Sequence, residues 1–274
     1  MAVVVAACDP SPLSGEIAVD TPFVSRNMRK RIDPSAVLDG VRSVIVVGVG
    51  RCVDEHCTSP VEGGLVELSS LGTDDDYHPI VKSHLQELAL ELERQQDAFR
   101  YKILVDSGTL DERAFAVRAG IGFIGRHGLV ISPELGTRFN IGLLLTTMPV
   151  EELPFTLGNS KSVCPPDCNH CIKACPTGAL QEGRRLDFSR CLSYLTQKKN
   201  LTAHEETLIK KGGQLYGCDI CQNACRHNLP KQKTYVNPQD WLEKPDIDFI
   251  REYGHTAMLW QGATLLRRNA GIFL

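Results

Sequence analysis

The chain has 274 residues, 42% hydrophobic and 23% charged, a balance that supports one large globular domain or two moderate ones. A formal net charge of −3 excludes a protein that coats nucleic acid through bulk positive charge, although a local basic patch remains compatible with it. The longest apolar stretches, Ser43–Gly50 and Ile141–Leu145, fall far short of the ~18–20 residues that span a bilayer. No membrane association and a cytoplasmic location are therefore expected.

The opening MAVVVAACDP lacks the basic lead-in of a signal peptide and reads as a buried strand. Ser43–Gly50 is a β-branched run ending in glycine, a second strand. Residues 63–76 are rich in Gly, Ser and Asp and read as a loop. From Pro79 to Gln96 the apolar residues Ile80, Val81, Leu85, Leu88, Leu90 and Leu92 follow helical spacing. Tyr101–Val105 is a strand, and Leu110–Ala119 a short helix closed by Gly120. Leu129–Ser132 and Ile141–Thr147 complete the strand candidates. A Glu-, Pro- and Gly-containing linker, Glu151–Ser162, precedes the cysteine-rich half, and a helical tail runs from Trp241 to the end.

The eleven cysteines are unevenly placed. Cys8, Cys52 and Cys57 are scattered, whereas Cys164, Cys168, Cys171, Cys175, Cys191, Cys218, Cys221 and Cys225 crowd one segment. In a cytoplasmic chain this size, such crowding favours metal over disulfides. The first group has the spacing C-x3-C-x2-C-x3-C-P. The second is Cys191, a long gap, then C-x2-C-x3-C. Two-cluster ferredoxins use C-x2-C-x2-C-x3-C-P, with the fourth cysteine ligating the other cluster. That rule assigns Cys164, Cys168, Cys171 and Cys225 to one [4Fe–4S] cluster and Cys175, Cys191, Cys218 and Cys221 to a second. The first x3 spacing departs from the pattern, and Asp167 or His170 is a possible substitute ligand. A pair of zinc sites, each with four cysteine ligands, is the competing reading, but zinc favours separated C-x2-C knuckles. The CPTGA run at Cys175 is expected to open a helix.

In the first half, Asp106 ends the strand Ile103–Val105 and precedes Ser107-Gly108. A carboxylate at a strand end sits where α/β folds place ligands, and burial would let it hold and donate a proton. The competing role is an N-cap for the helix near Leu110. His78 can meet a cofactor, while Asp76 can cap the helix that follows. Gly120-Ile-Gly122-Phe-Ile-Gly125 matches G-x-G-x-x-G superficially, but a strand follows it, which rules out a Rossmann site. The glycines still imply close approach to a flat cofactor or to a packed neighbouring segment.

Taken in order, these motifs resemble the epoxyqueuosine reductase family, itself similar to reductive dehalogenases. The matches are Arg31-Ile-Asp-Pro34, Asp76-Tyr-His78, Val105-Asp-Ser107, Glu112-Arg-Ala114, Ala119–Gly125, Cys175-Pro-Thr-Gly-Ala179, Arg190–Thr196, Tyr216–Cys221 and Arg268-Asn-Ala270. The resemblance implies an α+β fold: a nitroreductase-like, cobalamin-binding module followed by a ferredoxin-like double [4Fe–4S] module. The corresponding division is 1–155, 156–235 and a helical tail 236–274. It further implies that electrons from a low-potential donor, such as a ferredoxin or flavodoxin, reach cobalamin through the clusters. Epoxyqueuosine in a tRNA anticodon loop would then be reduced to queuosine. Asp106 would be the proton donor, with Arg31, His78, Val130, Ile141, Ser193 and Tyr194 near the corrin.

Family members usually continue into a helical-repeat region that grips tRNA, and the present sequence stops at Leu274, so a short form is expected. Arg226-His227 also stands in place of a Pro-Trp-like pair. A basic stretch (Arg184, Arg185, Arg190, Lys198, Lys199, Lys210, Lys211, Arg226, Lys231, Lys233) can bind phosphates or dock an acidic electron donor. Two alternatives remain at this stage: a cobalamin-dependent reductase of a small organic substrate, and a non-catalytic ferredoxin-like electron carrier.

Overall fold

The computed structural model describes residues 1–14, 27–51, 64–95, 99–155, 163–229 and 233–274. Cys52, Cys57, Lys231 and the later part of the linker lie outside these residues, as does the side chain of Arg184. The chain forms two compact units, Met1–Arg51 with His78–Pro166, and Cys52–Tyr77 with Asp167–Leu274.

The first unit begins with β1 (Val3–Cys8), α1 (Met28–Ile32) and β2 (Ser43–Gly50). Strand β3 (Val66–Leu68) belongs to the second unit. Then come α2 (Tyr77–Glu93), β4 (Tyr101–Val105), α3 (Glu112–Arg118), β5 (Phe123–Ile124), β6 (Val130–Ile131) and β7 (Phe139–Thr146). Strands β1, β2, β7 and β4 form one antiparallel sheet in that order. Every residue of β2 is buried, because helices cover both faces of the sheet. Val44, Val46, Leu143 and Leu145 meet Phe115 and Ala116 of α3 in one core. Side chains alternate along a strand, so Gly142 points the other way, where an added Cβ would lie 2.5 Å from Val81 and 2.7 Å from Leu85 of α2. Glycine there lets the helix approach the sheet. Leu90, counted among the apolar positions of α2, is 52% exposed, while Ala89 is buried in its place.

The second unit continues through α4 (His170–Ala174), β8 (Leu180–Gln181), β9 (Arg185–Leu186), α5 (Leu192–Leu195), α6 (Ala203–Gly212), β10 (Gln214–Tyr216) and α7 (Ile220–Asn223). It ends with β11 (Thr234–Val236), α8 (Pro238–Glu243), α9 (Asp246–Tyr253) and α10 (Ala263–Gly271). Its sheet has the order β10-β3-β11, with β3 parallel to β10 and antiparallel to β11. The segment 63–76, expected to be a loop, thus carries the central strand of this sheet and a 3₁₀ turn at Ser70–Gly72. Three residues of Val-Glu-Leu are too short to show a period, so local composition hid the strand.

The tail helices share one core with that sheet, joining Trp241, Phe249, Met258 and Leu266 to Val66, Leu68, Leu215 and Tyr216. A linear division at 155 and 235 is crossed by both β3 and the tail.

Asn269 of α10 is fully buried. Its amide donates to the carbonyls of Thr196 and Leu215, each at 2.8 Å, and accepts from the Arg268 guanidinium. Truncation strands two buried carbonyls, so Asn269→Ala is expected to lower unfolding stability by about 2–4 kcal/mol, read as a reduced denaturant midpoint at unchanged slope.

Candidate active site and metal centre

Strand β4 ends at Val105, and the next residue bends the chain sharply. Asp106 has φ +44°, the only positive value outside glycine among the described residues. Aspartate tolerates this left-handed region better than most residues, at a cost of about 1 kcal/mol. The bend turns the side chain outward, leaving it 62% exposed, with Oδ2 3.8 Å from Nε2 of His78 in the first turn of α2. The burial expected for Asp106 is not found. The capping role is also excluded, because Asp111 caps α3 by accepting the Ala114 amide at 3.1 Å.

Behind this turn lies Glu112, which the sequence pattern did not single out for a role. An acidic residue in the first helical turn reads as a complement to the helix dipole, and that reading conceals its burial. Its carboxyl faces the backbone amides of Asp106 and Ser107, and Oε1 is fully buried without a hydrogen-bond partner. Burial, reinforced by the Asp106 charge, pushes its pKa up to about 8. Its surroundings therefore favour the protonated carboxyl over the ionised one.

The neighbouring Arg113 donates to the Gly128 carbonyl at 3.0 Å, tying α3 to the β5–β6 hairpin. Within that hairpin a Cβ on Gly122 would lie 2.1 Å from the Ile131 carbonyl oxygen, and one on Gly125 would strike the Ile131 and His127 side chains. A packed neighbouring segment thus accounts for these two glycines.

The other expected cofactor contacts lie in both units. Arg31 is buried, 3.8 Å from the Asp111 carboxylate, while its carbonyl accepts the Asp111 amide; it ties α1 to the start of α3. Val130 is buried in the core, and Ile141 packs against it. Ser193 and Tyr194 lie on α5 in the second unit, Tyr194 edge-on to Phe188.

In the second unit α4 packs against α7, bringing together two cysteine-bearing segments. Cys171 lies on α4, and Cys175 terminates it. The chain then turns through Pro176–Gly178 into β8, so the CPTGA run leaves a helix where it was expected to open one. The reason is anchoring: the Thr177 hydroxyl donates to the Arg190 carbonyl and the Arg190 Nε to the Thr177 carbonyl, both at 2.7 Å. These bonds hold Cys175 beside Cys191, which starts α5. Gly217 has φ +66°, and an added Cβ would lie 1.9 Å from the Ser69 hydroxyl; its amide donates to Thr196. This fixes the approach to Cys218.

The thiols sense one another electrostatically: Cys191 with Cys175, Cys218 with both, and Cys221 with Cys218, Cys191 and Cys171. Burial and this mutual repulsion push Cys191, Cys218 and Cys221 upward. Clustered buried thiolates need a compensating cation. Among the described residues no three His, Cys, Asp or Glu side chains meet closely enough for a lone ion; a four-iron cubane takes its thiolates from further apart.

Several members of the basic stretch are engaged internally. Lys198 pairs with Glu205 and Lys233 with Glu67, whereas Lys199, Lys210, Lys211 and Arg226 are exposed. Among the described residues no helix is long and apolar enough to cross a membrane.

Residues 163–228 match the family model described as a 4Fe-4S double cluster binding domain. This defines an iron–sulfur protein and displaces the zinc reading. Residues 31–107 match the model for epoxyqueuosine reductase QueG, DUF1730. The epoxyqueuosine reductase of Staphylococcus aureus is 34% identical over 267 residues, covering 90% of this chain and 67% of that one. The structure of epoxyqueuosine reductase from Streptococcus thermophilus superposes with a TM-score of 0.84 at 30% identity, covering 99% of this chain and 76% of that one. An epoxyqueuosine reductase solved with an epoxyqueuosine-modified tRNA-Tyr stem loop gives 0.86 at 25% identity, covering 99% and 76%. The chain belongs to the epoxyqueuosine reductase family. It spans about two thirds to three quarters of the length of these relatives.

Proposed function

We propose that this protein reduces epoxyqueuosine in a tRNA anticodon loop to queuosine, in the cytoplasm, using two [4Fe–4S] clusters and cobalamin. The observation that carries the reading is the outward-facing Asp106 on its left-handed turn, beside His78. A strained carboxylate held at the surface of a packed sheet suits a group that meets a ligand.

The residues of the first unit fit a corrin in part. His78 and Asp106 offer exposed polar groups at one end of the sheet, and Ile141 is partly accessible. The Arg31 and Val130 side chains are occupied internally. Cobalamin, when bound, supplies a low-valent cobalt capable of delivering electrons to the epoxide carbons. A low-potential donor such as a ferredoxin or flavodoxin would feed the clusters.

Removing the epoxide oxygen takes two electrons and two protons, converting the C–O–C ring into an alkene and water. Asp106 would give a proton to the departing oxygen, with His78 orienting its carboxyl. The cluster ligands would be the crossed sets, Cys164, Cys168, Cys171 and Cys225, and Cys175, Cys191, Cys218 and Cys221. The exposed lysines and Arg226 would meet tRNA phosphates.

The test is anaerobic incubation of reconstituted protein with a reductant and an epoxyqueuosine-containing stem-loop, with and without hydroxocobalamin. Queuosine formed only with cobalamin is expected. Stoichiometric cobalamin binding without queuosine would overturn the substrate, and turnover without added or bound cobalamin would overturn the cofactor.

A further inference from the structure

The loop that carries Cys218 and Cys221 also holds a carboxylate that cluster ligation leaves unused. Asp219 stands at the start of α7, where an aspartate ordinarily caps the helix, yet its side chain makes no capping bond there. The residue is buried, and its carboxylate is spent elsewhere. Oδ2 accepts the Ser70 amide at 2.7 Å, and Oδ1 accepts the Gln222 side-chain amide at 3.2 Å. The first bond ties the cysteine loop to the 3₁₀ turn at Ser70–Gly72. That turn is itself held against the loop, because the Ser69 amide donates to the Tyr216 carbonyl at 3.2 Å and Gly217 packs on the Ser69 hydroxyl. Among the described residues no cation pairs with Asp219. Lys233, which senses Cys218, is already paired with Glu67 at 2.9 Å.

We propose that Asp219 is a fixed negative charge that lowers the reduction potential of the cluster held by Cys218 and Cys221. Cluster potentials respond to nearby charge and to solvent exposure. Reduction adds an electron to a group already ringed by thiolates. A buried carboxylate next to Cys218 in the chain opposes that addition, with little water to screen it. Anchored at both oxygens, it cannot swing away as negative charge builds. The inference deepens the proposed function, since a lower potential makes this cluster a stronger reductant toward cobalamin. The charge effect itself rests only on the cluster and on the two cysteines sharing it.

The test is a potentiometric titration of anaerobically reconstituted protein, with the reduced clusters followed by electron paramagnetic resonance. Asp219→Asn keeps the shape and an acceptor oxygen for the Ser70 amide but removes the charge. Its iron and sulfide content should match wild type. One of its two couples should become about tenfold easier to reduce, a rise of about 59 mV for one electron. Asp219→Glu restores the charge and should return that couple toward the wild-type value. Wild-type potentials for both couples in D219N would overturn the proposal. An equal rise in D219E would overturn it too, by assigning the effect to loop geometry and not to charge. Loss of a cluster from D219N would also overturn it, by making Asp219 an anchor of the loop alone. The titration contains neither cobalamin nor tRNA. If wild-type protein binds cobalamin but fails on the stem-loop, the functional reading falls, and the measured potentials still decide the role of the charge.

Discussion

Asp106→Asn is expected to lower epoxyqueuosine turnover by roughly 10²–10⁴-fold, the range associated with loss of a positioned acid, while iron content and cobalamin binding stay unchanged. The substitution is informative because of the backbone. Asparagine accepts positive φ at least as readily as aspartate, so the turn at φ +44° is kept and only the ionisable proton is lost. The amides that face Glu112 belong to the main chain of residues 106 and 107 and are untouched. A single-turnover assay with pre-reduced protein isolates the chemical step from electron supply. Wild-type rates in that assay would remove Asp106 from the mechanism. A parallel loss of cobalamin binding would make it a binding residue instead.

The second large effect concerns the cysteines and separates crossed from uncrossed ligation. With crossed ligation, Cys175 and Cys221 serve the same cluster. The double variant C175A/C221A should then lose about half of the bound iron, and C171A/C175A nearly all of it. Uncrossed ligation inverts the two results. Cys175 is the ligand that decides, and its proximity to Cys191 and Cys218 is the pairing that crossed ligation requires. Iron and sulfide analysis after anaerobic reconstitution reads the difference directly. Cys8→Ser is the control: it is buried in the first unit and should leave iron content unchanged.

The cysteine framework and the strands of the first unit were legible in the sequence because both depend on local order. Ligand spacing is fixed by how tightly a loop wraps a cluster, and an uninterrupted apolar run such as Ser43–Gly50 has few alternatives to a buried strand. The role of Asp106 was legible only as a choice between proton donor and cap, which the structure narrowed by giving the cap to Asp111. Glu112 could not be read at all, because the burial of its Oε1 follows from tertiary packing and not from its neighbours in sequence. The strand at Val66–Leu68 was hidden for the same reason, since its partners lie far along the chain. The exit of the chain after Cys175 was misjudged because bonds between Thr177 and Arg190 outweigh the tendency of a ferredoxin-like motif to continue into a helix.

That central strand has a consequence for how the protein is made. Val66–Leu68 leaves the ribosome long before Gln214–Tyr216 and Thr234–Val236, between which it must finally lie. Until they arrive both of its edges are open, and exposed edges invite wrong pairing. The cysteine-bearing half cannot finish its sheet until Thr234–Val236 has emerged, so iron delivered earlier would meet an incomplete scaffold. A gene cut between the halves would likewise give a C-terminal fragment with all eight crowded cysteines but without the strand that its sheet is built around.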